Sequence, residues 1–206
     1  MLLWSGLFFL LLGVASFAGD RRAAHWVHAH VHRRVHRRLA RTTDWAKGAH
    51  WLTISIVALA LSWCWLRLVG EVWWVRDVFR AAGAFLASLA AGSLVLHILK
   101  IVAGRRRPRD ELEHDLYGFR PFRFDTQHDS FPSGHAMTIF CVAVIAAGVF
   151  PQLWPLWFAV ALYLALTRAF MTAHFFSDVF IGAGIGLLAS REIVLYLFPA
   201  LSQPWF

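Results

Sequence analysis

Three features predict an all-α fold, an integral membrane bundle of six transmembrane helices with a basic amphipathic surface helix after the first span. The 206 residues are 59% hydrophobic and only 16% charged, with mean hydropathy +0.56, whereas soluble domains average roughly 45–50% apolar and about 25% charged. The apolar residues gather into six segments, each near the ~20 residues that cross a hydrocarbon layer as a helix. Eleven tryptophans suit the headgroup zone, where amphipathic rings are favoured.

The six segments are residues 2–18, 49–69, 82–102, 134–150, 153–170 and 175–198. The first is uncharged and ends Ala15-Ser16-Phe17-Ala18, which resembles a signal-peptidase site, but no Lys or Arg precedes it, so a retained helix is expected. The fifth has Pro155 near its start. The sixth carries Gly182, Gly184 and Gly186, small residues that let a neighbouring helix approach closely, and Arg191-Glu192, which puts its tail at the interface. Cys64 and Cys141 fall inside apolar runs and read as buried free thiols.

Between the first two segments, Val27, Val31, Val35 and Leu39 recur every fourth residue among Arg21, Arg22, Arg33, Arg34, Arg37, Arg38, Arg41 and Lys47. One helix with an apolar stripe and a basic opposite face, lying on the membrane surface, is expected. Histidines 28, 30, 32 and 36 offer a metal reading, disfavoured because no Cys joins them and the arginines would repel a cation. Formal charge is +8. The basic residues flank apolar spans, so anionic lipid rather than nucleic acid is the expected partner. Two units follow, 1–48 (first span and basic segment) and 49–206 (the remaining bundle).

Three polar strings stand out against this background: Lys100 with Arg107-Pro108, Pro132-Ser133-Gly134-His135, and Arg168 with His174 and Asp178. Ionisable groups near a bilayer read first as functional. Lys100 and Arg107 lie seven residues apart, two turns along nearly one helical face, or at the same water boundary if the helix frays at Gly104, and are natural phosphate ligands. Read alone, they also fit a positive-inside collar. Ser133 is a preferred N-cap, and the free N–H groups of the turn it opens attract anions, with His135 beside them. Alone, this is a plain capped helix start. His174 and Asp178, four apart, fit an imidazole oriented by a carboxylate. The third segment exits where the fourth enters, and the fifth exits where the sixth enters. All three strings therefore share one membrane side.

Together, Lys100-x6-Arg107-Pro108, Pro132-Ser133-Gly134-His135 and Arg168-x5-His174-x3-Asp178 resemble the three-part signature of the type 2 phosphatidic acid phosphatase superfamily, over residues 100–178. Thr167 replaces the Ser common before the Arg and keeps a hydroxyl. The resemblance implies a lipid phosphatase in which His174 attacks phosphorus to form a phosphohistidine, Asp178 orients it, and His135 protonates the leaving group. Lys100, Arg107, Arg168, Ser133 and the Gly134 amide would hold the phosphoryl oxygens, and no metal or other cofactor is implied. The substrate is expected to be a lipid phosphate or pyrophosphate: lipid A, undecaprenyl pyrophosphate, phosphatidylglycerophosphate or phosphatidic acid. Transfer of the phosphoryl group to an acceptor lipid is one alternative, and a non-catalytic binder of anionic lipid is another.

The loop 109–131 is read as a polar connector or headgroup-selecting lid, with Ser130 open to labelling reagents. Basic residues crowd the motif side, against Arg76 and Arg80 opposite, which by positive-inside logic points the site toward the cytoplasm. Bacterial relatives of the resembled family place it outward. A bacterial inner-membrane protein with a periplasmic site is expected. The oligomeric state is not legible.

Overall fold

The structure, a computed structural model, describes residues 1–122 and 128–206, so Arg123 and Asp125 of the expected lid lie outside the described residues. Among the described residues the ordered elements are helices, with no strand beyond isolated bridges from Arg105 to Phe119 and Asp129. They are α1 (Leu2–Ser16), α2 (Asp20–His30), α3 (Arg33–Thr43), α4 (Gly48–Leu68), α5 (Trp73–Ala103), α6 (Pro108–His114), α7 (Gly134–Val149), α8 (Trp154–Phe170) and α9 (Phe176–Leu197).

Each of the six apolar segments is helical. Five of the helical stretches are long and apolar enough to cross a membrane. The other, α7, has 16 residues, about 24 Å at 1.5 Å per residue. It is also the most enclosed: 11 of its 16 residues are buried, whereas in α4 only Ser55 and Ser62 are. That inverted pattern, with Ile54, Ile56, Leu61 and Trp63 facing outward, is what a lipid-facing helix shows. Cys64 shares the outward face and is exposed, so only Cys141 is the buried thiol that the sequence suggests for both.

Helix α7 packs between α8 and α9, α9 lies against α1 and α5, and α4 rests on α5. Glycines set the closest approaches. A Cβ on Gly182 would stand 2.3 Å from the Ser133 carbonyl oxygen, and one on Gly186 2.4 Å from that of Met137. Together they draw α9 onto the start of α7, where Ser133 N–H donates to the Asp178 carbonyl at 3.0 Å.

Two local expectations are corrected. The basic segment is two helices, not one, because Val31 and His32 are extended and His32 Nδ1 accepts from Arg34 N–H at 3.2 Å, capping α3. Arg34, Arg37, Arg38 and Arg41 remain exposed, while Val35 and Leu39 help line an apolar cavity of ≈ 380 Å³ with Leu166 and Phe170 of α8. Second, α5 does not carry Lys100 and Arg107 on one continuous face. It stops at Gly104, whose φ of +54° makes the left-handed cap that favours glycine, and Arg107 precedes Pro108 at the start of α6.

Candidate active site

Antiparallel packing brings the C-terminal ends of α5 and α8 beside the N-terminal ends of α7 and α9, and all the residues expected to bind phosphate or react lie there. Lys100 Nζ donates to the Asp129 carbonyl. Arg107 reaches the Asp129 carboxylate through Nε at 2.8 Å and Nη2 at 2.7 Å. Ser133 caps α7, its Oγ accepting from Ala136 N–H at 3.5 Å, and leaves the Gly134 and His135 amides at the mouth of the helix. Arg168 has a long contact, 3.5 Å from Nη1 to Thr43 Oγ1, and its buried Nε has no hydrogen-bond partner among the described residues. Arg168, Arg107 and His174 all lie within electrostatic reach of His135.

His174 sits in the turn between α8 and α9 rather than on α9. Its own N–H donates to the Arg168 carbonyl at 3.2 Å. The ring is 4% exposed, and its Nδ1 lies 2.7 Å from the Ser130 carbonyl oxygen but 3.8 Å from Asp178 Oδ2. A carbonyl can only accept, so Nδ1 carries the proton and Nε2 keeps its lone pair. Burial pushes the His174 pKa below the ordinary imidazole value; Asp178 opposes this, while Arg168 and Arg107 add to it.

Asp178 is fully buried and fully engaged. Its Oδ2 accepts from Ser130 Oγ at 2.6 Å and from Phe175 N–H at 2.9 Å, capping α9, and its Oδ1 accepts from Arg105 Nη1 at 2.6 Å. The spacing predicts the carboxylate on one helical face with His174 and in hydrogen-bond reach of its ring; instead His174 precedes α9, Asp178 Oδ2 lies 3.8 Å from Nδ1, and the link between them runs through Ser130. Ser130 itself is buried, not open to labelling.

Several residues here escaped the sequence. Arg105 is wholly buried, walled by Phe17, Phe119 and Phe175 with its guanidinium 4.7, 5.2 and 4.1 Å from the ring centres. Burial works against its charge, but Asp178 and Asp20 more than offset that, and its pKa lies above the usual guanidinium value. Asp20, at the start of α2, accepts from Arg105 Nη2 at 2.8 Å. Thr43 lies 3.0 Å from the Thr167 hydroxyl. Nothing marked these residues in the sequence beyond an unremarkable charge or hydroxyl at a helix end. The His-rich segment does not gather: among the described residues no three His, Cys, Asp or Glu side chains form a metal-sized group.

A crystal structure described as the first transmembrane PAP2 type phosphatidylglycerolphosphate phosphatase, from Bacillus subtilis, superposes with a TM-score of 0.68, covering 95% of this chain and 94% of that one at 20% identity. The shared feature is the fold. Lipid A 1-phosphatases of Rhizobium etli and Rhizobium johnstonii are 33% identical over 105 residues, 50% of this chain. The match spans just under half of those relatives, 45% and 43% of their lengths. With its apolar helices and this likeness to a membrane-embedded fold, the chain is an integral membrane protein. Residues 81–201 match the sequence profile of the PAP2 superfamily, a stretch containing every motif residue from Lys100 to Asp178, and the chain belongs to that superfamily.

Proposed function

We propose that this protein hydrolyses the phosphate of a membrane lipid through a phosphohistidine on His174. The observation that carries this reading is the His174 ring, with Nδ1 committed to the Ser130 carbonyl, at the same bundle end as Lys100, Arg107 and Arg168. Nε2 attacks phosphorus, and the bond to the leaving oxygen breaks as His135 gives that oxygen a proton. Lys100, Arg107, Arg168, the Ser133 hydroxyl and the Gly134 amide hold the phosphoryl oxygens, whose charge is redistributed in the transition state. Water then attacks the phosphohistidine and gives a proton to His135. The P–N bond breaks and its electron pair returns to Nε2. The three cations supply the charge neutralisation that a metal ion provides elsewhere.

A lipid substrate is supported by the site's place at helix ends, where headgroups lie, and by the exposed arginines of α3, which suit anionic lipid. Among lipid phosphates, the 1-phosphate of a lipid A-type glycolipid is the first candidate, because the two relatives at 33% identity carry that activity in their names. Undecaprenyl pyrophosphate, phosphatidylglycerophosphate and phosphatidic acid complete the set. A periplasmic site in the inner membrane suits such substrates. Maleimide labelling of Glu113→Cys in intact cells, in a Cys64→Ser background, tests the side, since Glu113 is exposed on α6.

The test of activity is inorganic phosphate release by purified protein in detergent from a panel of these four lipids, with and without chelator. Release that persists in chelator and disappears in His174→Ala is expected. Equal release by His174→Ala, or release only with added metal, contradicts the reading.

A further inference from the structure

Asp20 belongs to the segment that reads as membrane anchor and surface helix, and it lies outside the stretch 81–201 that matches the superfamily. Yet its carboxylate is 1% exposed and is bonded to Arg105 and Ser177, beside Asp178. Oδ2 accepts from Arg105 Nη2 at 2.8 Å and from the Ser177 hydroxyl, and Oδ1 accepts from Ser177 N–H at 3.2 Å. Arg105 also donates through Nη1 to Asp178 Oδ1 and to Ser177 Oγ, both at 2.6 Å. From Asp178 the path continues through the Ser130 hydroxyl, and the Ser130 carbonyl holds His174 Nδ1. Five side chains from α2, the α5–α6 turn, the loop before α7, the α8–α9 turn and α9 thus form one buried chain from Asp20 to His174.

We propose that Asp20 is a positioning residue for the nucleophile, acting through Arg105 and Asp178. One guanidinium between two carboxylates leaves a net negative charge on the cluster, in surroundings where aromatic walls exclude water and charge interactions are strong. Without the Asp20 charge, Arg105 is neutralised by Asp178 alone. Asp178 then does less to stabilise the positive charge that builds on the imidazole as Nε2 bonds to phosphorus. This rests on the phosphohistidine reading above, but it is tested separately.

The experiment compares full-length wild type, Asp20→Asn and Asp20→Glu in detergent, measuring kcat, KM and the acid limb of the pH–rate profile with a lipid phosphate. Asp20→Asn is expected to lower kcat about tenfold, the scale on which outer hydrogen-bonding partners of metal-bound histidines act, with KM within about twofold. The acid limb moves to lower pH by about half a unit, and Asp20→Glu restores its position. Among the described residues, the other charged groups facing His174 are Asp178 on α9, Arg168 on α8, Arg107 before α6 and His135 on α7, with Lys100 of α5 facing Asp178. All are unchanged in these variants, so the shift reports Asp20.

A purely structural staple between α2 and α9 lowers the thermal midpoint and the folded fraction but leaves the acid limb in place. That result, or an unchanged kcat, overturns the proposal. If Asp20→Asn does not fold, Asp20→Ser, which removes the charge and keeps a small hydrogen-bonding group beside Arg105 and Ser177, takes its place: an acid limb moved to lower pH supports the proposal, and a wild-type acid limb and kcat overturn it. The pH dependence of His174 modification by diethyl pyrocarbonate, followed by peptide mass spectrometry, reads the same imidazole without substrate. The inference can therefore fail or stand whatever the outcome of the phosphatase assay.

Discussion

His174 Nδ1 donates to the carbonyl oxygen of Ser130 at 2.7 Å, so the group that selects the histidine's tautomer is a backbone carbonyl in the loop before α7. The Ser130 hydroxyl at the same residue donates to Asp178 at 2.6 Å. Ser130→Ala keeps the first contact and removes the second. A hydrogen bond to a charged group contributes about 1.5–3 kcal/mol, and Asp178 retains Arg105 and the Phe175 amide. Steady-state kinetics of Ser130→Ala should show kcat down by about tenfold, toward the lower end of that range, with His174 still phosphorylated. Loss of all phosphorylation would mean that the hydroxyl does more than hold Asp178.

The pH dependence has a definite sign. Burial holds the His174 pKa below the ordinary imidazole value, and in the proposed mechanism the neutral ring is the nucleophile. Turnover should therefore persist below the ~6.5 of a free imidazole and fall only as pH drops through the lower folded value. The same depression makes folding oppose protonation. Stability is full above the unfolded-state pKa and declines as pH falls below it, because the unfolded chain binds the proton more readily. Thermal midpoints in detergent from pH 8 to 5 should decline on the acid side, and less so in His174→Gln.

Gly182 offers a packing test of the site. An added Cβ would meet the Ser133 carbonyl oxygen at 2.3 Å, which is backbone and cannot rotate away. Gly182→Ala must push the start of α7 off α9, separating Ser133 and His135 from His174. A fall in kcat of at least about tenfold is expected, since a displacement near 1 Å can cost about a hundredfold. Gly186→Ala, crowding Met137 a turn deeper, should affect the thermal midpoint more than kcat. A Gly182→Ala enzyme with normal kcat would show that the α7 terminus is not part of the reacting geometry.

Asp129 occupies Arg107 through two contacts to one carboxylate oxygen. An incoming phosphate must share or displace that partner. Asp129→Asn removes the competing charge while keeping a side chain of the same shape. Competitive inhibition by inorganic phosphate should then tighten severalfold. Weaker inhibition would mean that Asp129 holds Arg107 in its binding position rather than competing for it.

The sequence made the helices and the candidate site residues legible for different reasons. Apolar runs of bilayer length stand out in any chain, and Lys100, Arg107, Ser133, His135, Arg168, His174 and Asp178 stand out because charge and helix-capping groups are costly among them. Arg105 and Asp20 did not, because a buried ion pair has no local pattern: each looks like an ordinary charge at a helix end until folding joins residues 85 positions apart. The valine stripe through Val27–Leu39 did not reveal its break at Val31–His32, since periodicity survives a change of direction that a capping side chain imposes. The pairing of His174 with Ser130 was hidden likewise, because backbone acceptors carry no sequence signature.

Covalent capture of the intermediate is the most direct measurement. The His135→Ala protein, mixed with substrate labelled with ³²P in its phosphate and quenched in base, should carry the label on the peptide containing His174. The linkage should be acid-labile and base-stable, as phosphohistidine is, and His174→Ala should remain unlabelled. Label on another residue, or rapid phosphate release by His174→Ala with no protein-bound label in either variant, would contradict a phosphohistidine at this position.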